Sequence, residues 1–548
     1  MSDMATYPRS AIAPPPASAP AKPSLDGGFG RGGPLLIAAI LLAGLGYAGY
    51  SLLSEVDAAG GAPNTWAPFA LLAVALLIAL GFEFVNGFHD TANAVATVIY
   101  THSLPAHVAV VWSGFFNFLG VLTSSGAVAF GIVSLLPVEL ILKVGSGAGF
   151  AMVFALLVAA IVWNLGTWFL GLPASSSHTL IGSIIGVGVA NELTASADAQ
   201  ASGVDWSQAR GVFEALLLSP VVGFVCAALL LLALKLFVRD RRLYRAPETA
   251  DPPPLWIRGL LILTCTGVSF AHGSNDGQKG MGLIMLILIG VVPTAYALNR
   301  AVPEAATPAF VEISGRAADA LRRAAGEGAV AAPLTASRDA VEDYLQTRER
   351  RLDTLPALAV LADDIARQVG TYGSLRAVPA GQVQNVRNDM YLADEAVRHL
   401  LRRGDPAFAE ADAAALKAYR GALDQATRFI PTWVKVSVAI ALGLGTMVGW
   451  KRIVVTVAER IGKQHLSYGQ GASAELVAAA TIGAADLYGL PVSTTHVLSS
   501  GVAGAMAANG SGLQWSTVRN VALAWVLTLP AAMILAGGLY LLLRAALA

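Results

Sequence analysis

Apolar runs at or near the length needed to cross a lipid bilayer recur along almost the whole chain. An α-helix rises 1.5 Å per residue, so about 20 residues span the roughly 30 Å of hydrocarbon. The runs lie at 34–53, 68–87, 107–136, 151–170, 180–190, 212–238, 255–289, 433–450, 476–488, 497–508 and 518–543. This pattern predicts an all-α polytopic membrane protein and excludes an ordinary soluble enzyme.

Charged residues are scarce and are concentrated in one segment. They make up 13% of the 548 residues, where a soluble domain has about a quarter, and 36 basic residues balance 36 acidic ones. About 35 of these 72 lie within 300–428, where Val341, Tyr344 and Leu345 recur at helical spacing. We expect a soluble, mainly helical insert here, with a partly ordered loop as the alternative. The neutral balance argues against a nucleic-acid partner.

These features divide the chain into seven parts. The parts are a disordered Pro- and Ala-rich leader (1–33), an extra N-terminal transmembrane anchor (34–53), a first transmembrane repeat (67–238), a basic cytoplasmic loop (239–258), the start of a second transmembrane repeat (259–299), the soluble insert (300–428) and the remainder of the second repeat (431–543). A cleaved signal peptide is the alternative for the anchor, although 20 apolar residues are long for one.

The Lys and Arg residues of short loops predict which side of the membrane each loop faces, because such loops stay in the cytoplasm. The loop 239–258 carries five arginines, and the segment 451–463 carries two lysines and two arginines, so both should be cytoplasmic. The leader should also be inside. The segment 54–65 has two acids and no base and should be outside. By the parity of the crossings, the insert should be outside as well.

Two polar motifs interrupt the apolar runs, and each occurs twice. Residues 86–93 (NGFHDTAN) are echoed by 272–279 (HGSNDGQK). Residues 171–178 (GLPASSSH) are echoed by 489–496 (GLPVSTTH), with five of eight positions identical. The motifs are 132 residues further apart in the second half, which is close to the 129 residues of the insert. Five crossings in each half would invert one half relative to the other, as in secondary transporters with broken helices and a midplane site.

The first motif places a carboxylate inside an apolar run in each half, at Asp90 and Asp276. An ionised side chain at the bilayer centre costs roughly 2.5–3.5 kcal/mol on insertion scales, so such residues usually have a function. The glycines Gly87, Gly273 and Gly277 favour an unwound backbone whose carbonyls, with Asp and Asn oxygens, could ligate a small cation or hold a proton. Helix packing by a polar pair is the alternative.

The second motif predicts a helical hairpin in each half. Gly-Leu-Pro ends one helix, and the following hydroxyl residues cap the next one. A helix N-terminus offers free N–H groups and partial positive charge, so two such ends could surround a tetrahedral anion without a basic side chain. Simple N-capping is the alternative.

The motifs also contain histidines, at His89, His178, His272 and His496. A Ser–His–Asp hydrolase is defined by geometry, and the sequence has no Gly-x-Ser-x-Gly elbow. A transition-metal site is a further alternative. Capping, packing or proton relay within the repeats is favoured, so we expect no enzyme activity and assign no metal ligands.

Together the motifs resemble the inorganic phosphate transporter (Pit) family and are close to its bacterial low-affinity members. The resemblance rests on 86–97, 163–167, 172–178, 272–280 and 491–496, and it covers roughly 67–543 apart from much of the insert. It implies cation-coupled symport of inorganic phosphate by a multi-pass protein of the inner (cytoplasmic) membrane. In similar bacterial members the coupling ion is usually a proton, with sodium as the alternative, and the cargo can be a neutral divalent-metal phosphate complex.

The resemblance also implies site residues, motif by motif. Phosphate would be held by Ser175, Ser176, Ser177, Ser493, Thr494 and Thr495. The coupling cation would be handled by Asp90, Asn93, Asn275, Asp276, Gln278 and Lys279. No resident cofactor is implied; the partners are inorganic phosphate and membrane lipid, and a homo-oligomer remains an open option.

One position separates the chain from the sodium-coupled branch. The first repeat has Asn93 where the second has Lys279, three residues after Asp276. A helical Lys279 could pair with that carboxylate and replace a cation by a fixed charge, which favours proton coupling. Three alternatives remain: transport of another oxyanion such as sulfate, a membrane-embedded Ser/His hydrolase, and a channel, against which the paired broken helices argue.

Overall fold

The structure is a computed structural model that describes residues 22–25, 30, 32–60, 67–90, 92–136, 138–142, 146–194, 204, 206–326 and 332–547. In these ranges the regular structure is helical, apart from one isolated antiparallel bridge between Gly462 and Leu513. The first half contains α1 (Gly32–Ala58), α2 (Ala67–Asp90), α3 (Ala92–Tyr100), α4 (Ala106–Thr123), α5 (Ala127–Val133), α6 (Val138–Leu142), α7 (Gly147–Phe169), α8 (Ser176–Leu193) and α9 (Trp206–Phe237).

The second half begins with one long helix and is interrupted by the insert. Its helices are α10 (Leu255–Val291), α11 (Pro293–Tyr296), then α12 (Thr307–Ala325), α13 (Leu334–Thr347), α14 (Thr354–Tyr372), α15 (Ala380–Arg403) and α16 (Glu410–Thr427) of the insert, then α17 (Thr432–Thr446), α18 (Lys451–Val455), α19 (Tyr468–Leu487), α20 (Thr494–Asn509) and α21 (Trp515–Leu547). A π-helical turn, Thr456–Arg460, follows α18.

Several of these helices can cross a membrane. Within the described ranges seven are long and apolar enough, and the number is eight if the bent pair of α16 and α17 is one span. The prediction of an all-α protein with many membrane spans is confirmed. The apolar run 107–136 is not one helix, however. It is divided into α4 and α5 at Gly126, whose φ of 88° is in the left-handed region that an uninterrupted helix cannot use.

Helix contacts of one half have matching contacts between the corresponding helices of the other half. The helix α2 contacts α17 and α7, and its counterpart α10 contacts α4 and α19. The helix α8 packs on α21, while α20 packs on α9. Each of these contacts therefore recurs when the halves are swapped, as expected for two repeats about a pseudo-two-fold axis. Their opposite orientation in the membrane stays a prediction.

The insert folds as five helices around apolar side chains. Leu321, Tyr344, Leu358, Val397 and Tyr419, one from each helix, are buried in a core that continues into the membrane helices. The prediction of a mainly helical insert is thus confirmed, and the alternative of a partly ordered loop is wrong.

Two contacts join segments that are expected to face the same side of the membrane. Trp433, in the first turn of α17 directly after the insert, donates a hydrogen bond to the Glu55 carboxylate over 3.1 Å. The leader residue Lys22 forms an ion pair of 2.8 Å with Glu459, in the basic segment 451–463. The side of the membrane that each segment faces stays a prediction.

The long helix α10 runs without interruption through the second copy of the first motif, so the expected unwinding at Gly273 and Gly277 is wrong. Gly273 and Gly277 allow close helix packing instead. A Cβ atom on Gly273 would lie 2.2 Å from the Asn117 carbonyl oxygen, and one on Gly277 would lie 2.6 Å from the Val121 side chain. In the first copy, α2 ends at Asp90 and α3 begins at Ala92, while Thr91 is outside the described residues.

Two alanine substitutions on α10 test this assignment. Gly273→Ala should lower the free energy of unfolding by about 1–3 kcal/mol, because the added methyl group meets backbone that cannot move aside. Gly259→Ala, on the same helix with open space around it, should not destabilise the protein. Thermal unfolding in detergent measures both, and equal stability of the two variants would contradict the packing role of Gly273.

Candidate functional site

Each copy of the second motif forms the turn of a helical hairpin. Gly171 and Gly489 adopt φ values of 68° and 65°, which end α7 and α19. The side chains of Ser175 and Ser493 then accept hydrogen bonds from the His178 and His496 backbone N–H groups, at 3.2 and 3.1 Å. The N-capping expected from the sequence is therefore present in both hairpins. A capping hydroxyl oxygen accepts a bond and keeps its own proton to donate.

The two hairpin tips touch each other inside the protein. The imidazole rings of His178 and His496 have centroids 4.4 Å apart, and His496 also stacks on Trp525. The Ser177 hydroxyl donates to the Val492 carbonyl oxygen of the other hairpin over 2.8 Å. These contacts bring the N-termini of α8 and α20 together.

The Asp90 carboxylate lies where the two hairpins meet. It accepts hydrogen bonds from the Ser176 hydroxyl of α8 at 2.5 Å and from the Thr495 hydroxyl of α20 at 2.9 Å. Its neighbour His89 places Nδ1 2.8 Å from Asp90 Oδ1. One carboxylate is therefore held by hydroxyls from both copies of the second motif.

The second carboxylate joins the same cluster. Lys279 Nζ is 2.6 Å from Asp276 Oδ2, which confirms the pairing expected from their spacing of three residues on a helix. The His272 ring nitrogen Nε2 and the Ser176 hydroxyl are each 3.4 Å from the same oxygen. Lys279 also donates to Ser176 over 3.3 Å, so Ser176 links the two carboxylates.

The charges of this cluster do not cancel. Asp90, Asp276 and Lys279 are buried, and two carboxylates against one ammonium leave one negative charge when the histidines are neutral. Ligand atoms of Asp90, His272 and Asp276 lie within 4.8 Å of one another, which is close enough to hold a small cation. The cluster can thus take up one proton or one cation and become neutral.

Three buried polar atoms of the predicted site have no hydrogen-bond partner among the described residues. They are Asp276 Oδ1, Asn275 Oδ1 and Thr494 Oγ1. Buried polar groups are normally satisfied, and exceptions concentrate where a ligand or water binds. Both copies of the two motifs contribute residues to the region around these atoms.

Other predicted residues lie beside the central cluster. Gln278 uses its amide to accept from the Val128 N–H group and to donate to the Asp486 carboxylate, which holds α5 and α19 against α10. Asn275 donates to the Leu490 carbonyl oxygen in the turn of the second hairpin. The side chain of Asn93 is outside the described residues.

Two buried glutamates lie outside the duplicated motifs and were not predicted from the sequence. Glu83 accepts hydrogen bonds from the Gly280 N–H group at 2.7 Å and from the Asn86 amide at 3.3 Å. Glu475 accepts from the hydroxyls of Thr97 and Thr264. Glu83 lies in the apolar run 68–87 and Glu475 directly precedes the run 476–488, so a search for acidic residues in or beside apolar runs identifies both.

A Ser–His–Asp triad requires a histidine between the serine and the aspartate. Ser176 instead bonds directly to Asp90. His89 lies between Asp90 and the Thr167 hydroxyl, and that hydroxyl donates to the carbonyl oxygens of Trp163 and Asn164. The geometry suits binding of a charged solute.

Comparisons with known proteins identify the family of the chain. Residues 86–536 match the phosphate transporter family. The low-affinity inorganic phosphate transporters PitB and PitA of Escherichia coli are 40% and 41% identical to the chain, and each match covers 86% of this chain and 96% of the relative. A solved structure titled "The sodium-dependent phosphate transporter" is 18% identical, with a TM-score of 0.46, and the match covers 87% of this chain and 99% of that one. The matching family is a phosphate transporter family, and PitA and PitB are named as transporters, which supports the expectation that the chain is not an enzyme.

The buried ion pair of Asp276 and Lys279 leads to a prediction about the free energy of unfolding. Lys279→Met should lower the free energy of unfolding by about 3–5 kcal/mol, because it leaves a buried carboxylate without its partner. The double variant Asp276→Asn/Lys279→Met should regain most of that loss.

Lys435→Met is the matched control, since Lys435 donates to a neutral acceptor, the Ser124 carbonyl oxygen, at 2.7 Å. It should cost about 1 kcal/mol. Thermal unfolding in detergent provides the comparison. A double variant no more stable than Lys279→Met alone would contradict the pairing.

Proposed function

Because the chain belongs to the phosphate transporter family, we propose that it imports inorganic phosphate together with a proton across the inner (cytoplasmic) membrane by alternating access. The phosphate site is formed by Ser175–Ser177 and by Ser493–Thr495, at the N-termini of α8 and α20. The cation is handled by the residues of the first motif, which are Asp90, Asn93, Asn275, Asp276, Gln278 and Lys279.

One observation carries the proposal: the hydroxyls of Ser176 and Thr495, from opposite hairpins, both donate to Asp90. A phosphate oxygen accepts the same kind of hydrogen bond and can replace the carboxylate as their acceptor. The free N–H groups of the two helix N-termini add further donors with partial positive charge. The site therefore binds a tetrahedral anion without a dedicated arginine.

Coupling follows from the charge of the cluster. The cluster has one net negative charge, and a phosphate monoanion beside it would repel the carboxylates at close range in a medium of low dielectric constant. A proton on Asp90 removes the repulsion and frees the hydroxyls of Ser176 and Thr495 for phosphate. A bound proton thus favours binding of the anion, and by linkage a bound anion favours protonation of the cluster.

Lys279 favours a proton over sodium as the coupling ion. Its ammonium already compensates Asp276 at 2.6 Å, in a position that a metal cation would otherwise occupy. Transport of a divalent-metal phosphate complex is compatible with the charge balance of the cluster, because a neutral cargo adds no charge to it.

The two hairpins suit alternating access. Their tips contact each other through His178 and His496, and the cluster beneath them is buried. Rocking of one repeat against the other would separate the tips on one side at a time.

Sulfate transport is the second candidate, and the carboxylates argue against it. A phosphate that retains a proton can donate a hydrogen bond to Asp90 or Asp276, whereas a sulfate dianion is only an acceptor and would leave like charges in contact. Arsenate, which carries protons as phosphate does, should compete with phosphate uptake. Competition by sulfate with no effect of arsenate would reverse the assignment.

Neutral substitutions test the carboxylates. Asp90→Asn and Asp276→Asn should each reduce phosphate uptake by proteoliposomes to background, because an amide keeps the shape of the side chain and cannot take up a proton. Asp57→Asn, at an exposed position of α1, is the control and should transport normally. Membrane insertion is checked in all three variants. Normal uptake by both site variants would remove the carboxylates from the mechanism.

Imposed gradients test the coupling ion. Uptake of radiolabelled phosphate should be driven by a proton gradient, should be abolished by a protonophore, and should not respond to a sodium gradient. Adding and omitting magnesium tests the metal–phosphate cargo. Sodium-driven uptake that a protonophore leaves unchanged would overturn proton coupling.

A further inference from the structure

Outside the central cluster, a cavity of about 750 Å³ lies between the insert and the membrane helices. Its walls come from α5, the start of α9, α15 and the end of α16, and its floor is the turn between α19 and α20, residues 487–490. At about 30 Å³ per water molecule, this volume holds roughly 25 waters. It is large enough for a hydrated anion and far too large to fit one closely.

The turn 487–490 borders both the cavity and the proposed transport site. Leu490 lines the cavity, and its carbonyl oxygen accepts a hydrogen bond from Asn275, the residue next to Asp276. Gly489 packs against Ala127, and Ser493 follows three residues after Leu490. A movement of this one turn would connect the cavity to the buried cluster.

The charged lining of the cavity is mostly basic. Arg398, Arg402 and Arg428 line it, against a single aspartate, Asp424. Arg428 is fixed by ion pairs with Asp394 at 2.6 Å and Asp424 at 2.9 Å, and Arg398 is paired with Glu395. The charges of these two arginines are therefore largely compensated by acids of the insert.

Arg402 is different because its partner is neutral. Its guanidinium donates to the Gln208 side-chain oxygen at 3.1 Å, and it has no ion pair within the part of the chain that the structure describes. Its exposed charge thus acts on the cavity without local compensation.

The corresponding turn of the first hairpin has different neighbours. Arg452 donates to the Phe169 carbonyl oxygen at 2.7 Å and lies over the Trp168 ring, while Trp525 donates to the Pro173 carbonyl oxygen at 2.8 Å. The two hairpin turns therefore differ in their surroundings, and the second one borders the cavity beside the insert.

We propose that the insert forms an antechamber for phosphate, in which the charge of Arg402 raises the local concentration of the anion above the turn 487–490. This inference rests on the proposed phosphate transport and gives the insert a part in it. The antechamber attracts the anion electrostatically, as clefts lined by one sign of charge do, and does not form a second tight site. Attraction of this kind lowers the KM for phosphate from the insert side and leaves kcat unchanged.

Charge reversal tests the antechamber, with a matched control one residue away. Arg402→Glu should raise the KM for phosphate about 5-fold at low ionic strength, with kcat unchanged. Arg403→Glu makes the same charge change at the same end of α15, on a residue that does not line the cavity and donates to the Arg348 carbonyl oxygen. It should change the KM less than 2-fold.

Salt provides a second readout. The effect of Arg402→Glu should shrink as ionic strength rises, because the Debye length falls from about 10 Å at 0.1 M to about 3 Å at 1 M. Initial rates of radiolabelled phosphate uptake are measured in proteoliposomes whose insert faces the bath. Equal KM values for the two variants at low salt would overturn the antechamber.

A lipid phosphate is the other source of the same chemistry, and lipid composition distinguishes it. The KM effect should be the same in liposomes of neutral phosphatidylcholine and in liposomes with anionic phosphatidylglycerol. An effect on kcat alone, seen only with the anionic lipid, would assign the cavity to a lipid headgroup and refute the proposal. If the unmodified protein moved no phosphate, the proposed function itself would fail, which is a separate result.

Discussion

The burial of uncompensated charge is the constraint on which the rest of the structure depends. Asp90, Asp276 and Lys279 lie in helices that otherwise suit hydrocarbon, where an isolated ion is unfavourable by several kcal/mol. The ammonium of Lys279 compensates one carboxylate, and hydroxyls of two hairpins satisfy the other. One negative charge remains when the histidines are neutral, and in the proposed mechanism a proton neutralises it before the same hydroxyls bind the anion.

The fold brings these groups together through close helix packing. Asn117 packs against Gly273, where no side chain larger than hydrogen fits, and this contact sets α4 against α10 next to Asp276. The hairpins then carry Ser176 and Thr495 to Asp90 from opposite halves of the chain. Exchange of packing partners between the halves makes the site a product of both repeats, so neither repeat contains it alone. In the described part of the chain the insert shares a cavity with the turn of the second hairpin, which breaks the symmetry outside the site.

Much of this arrangement could be predicted from the sequence because charge in an apolar run is conspicuous. That rule identified Asp90, Asp276 and Lys279, and helical spacing predicted the ion pair. Continuity of α10 could not be predicted, since Gly273 permits both an unwound backbone and close approach, and the choice depends on Asn117 from a distant helix. The search for duplicated motifs did not identify Glu83 and Glu475. Both are acidic residues in or beside apolar runs, but neither belongs to a duplicated motif. The division of 107–136 depends on one residue, Gly126, whose left-handed conformation is set by its surroundings.

The central claim is that phosphate replaces Asp90 as the acceptor of hydrogen bonds from the Ser176 and Thr495 hydroxyls when the Asp90 carboxyl group is protonated. Infrared difference spectroscopy of the purified protein, with and without phosphate, reports carboxyl protonation directly. The account predicts that phosphate binding produces the C=O band of a protonated carboxylic acid and that Asp90→Asn lacks this band. Phosphate binding with no new protonated carboxyl, or an unchanged band in Asp90→Asn, would contradict it.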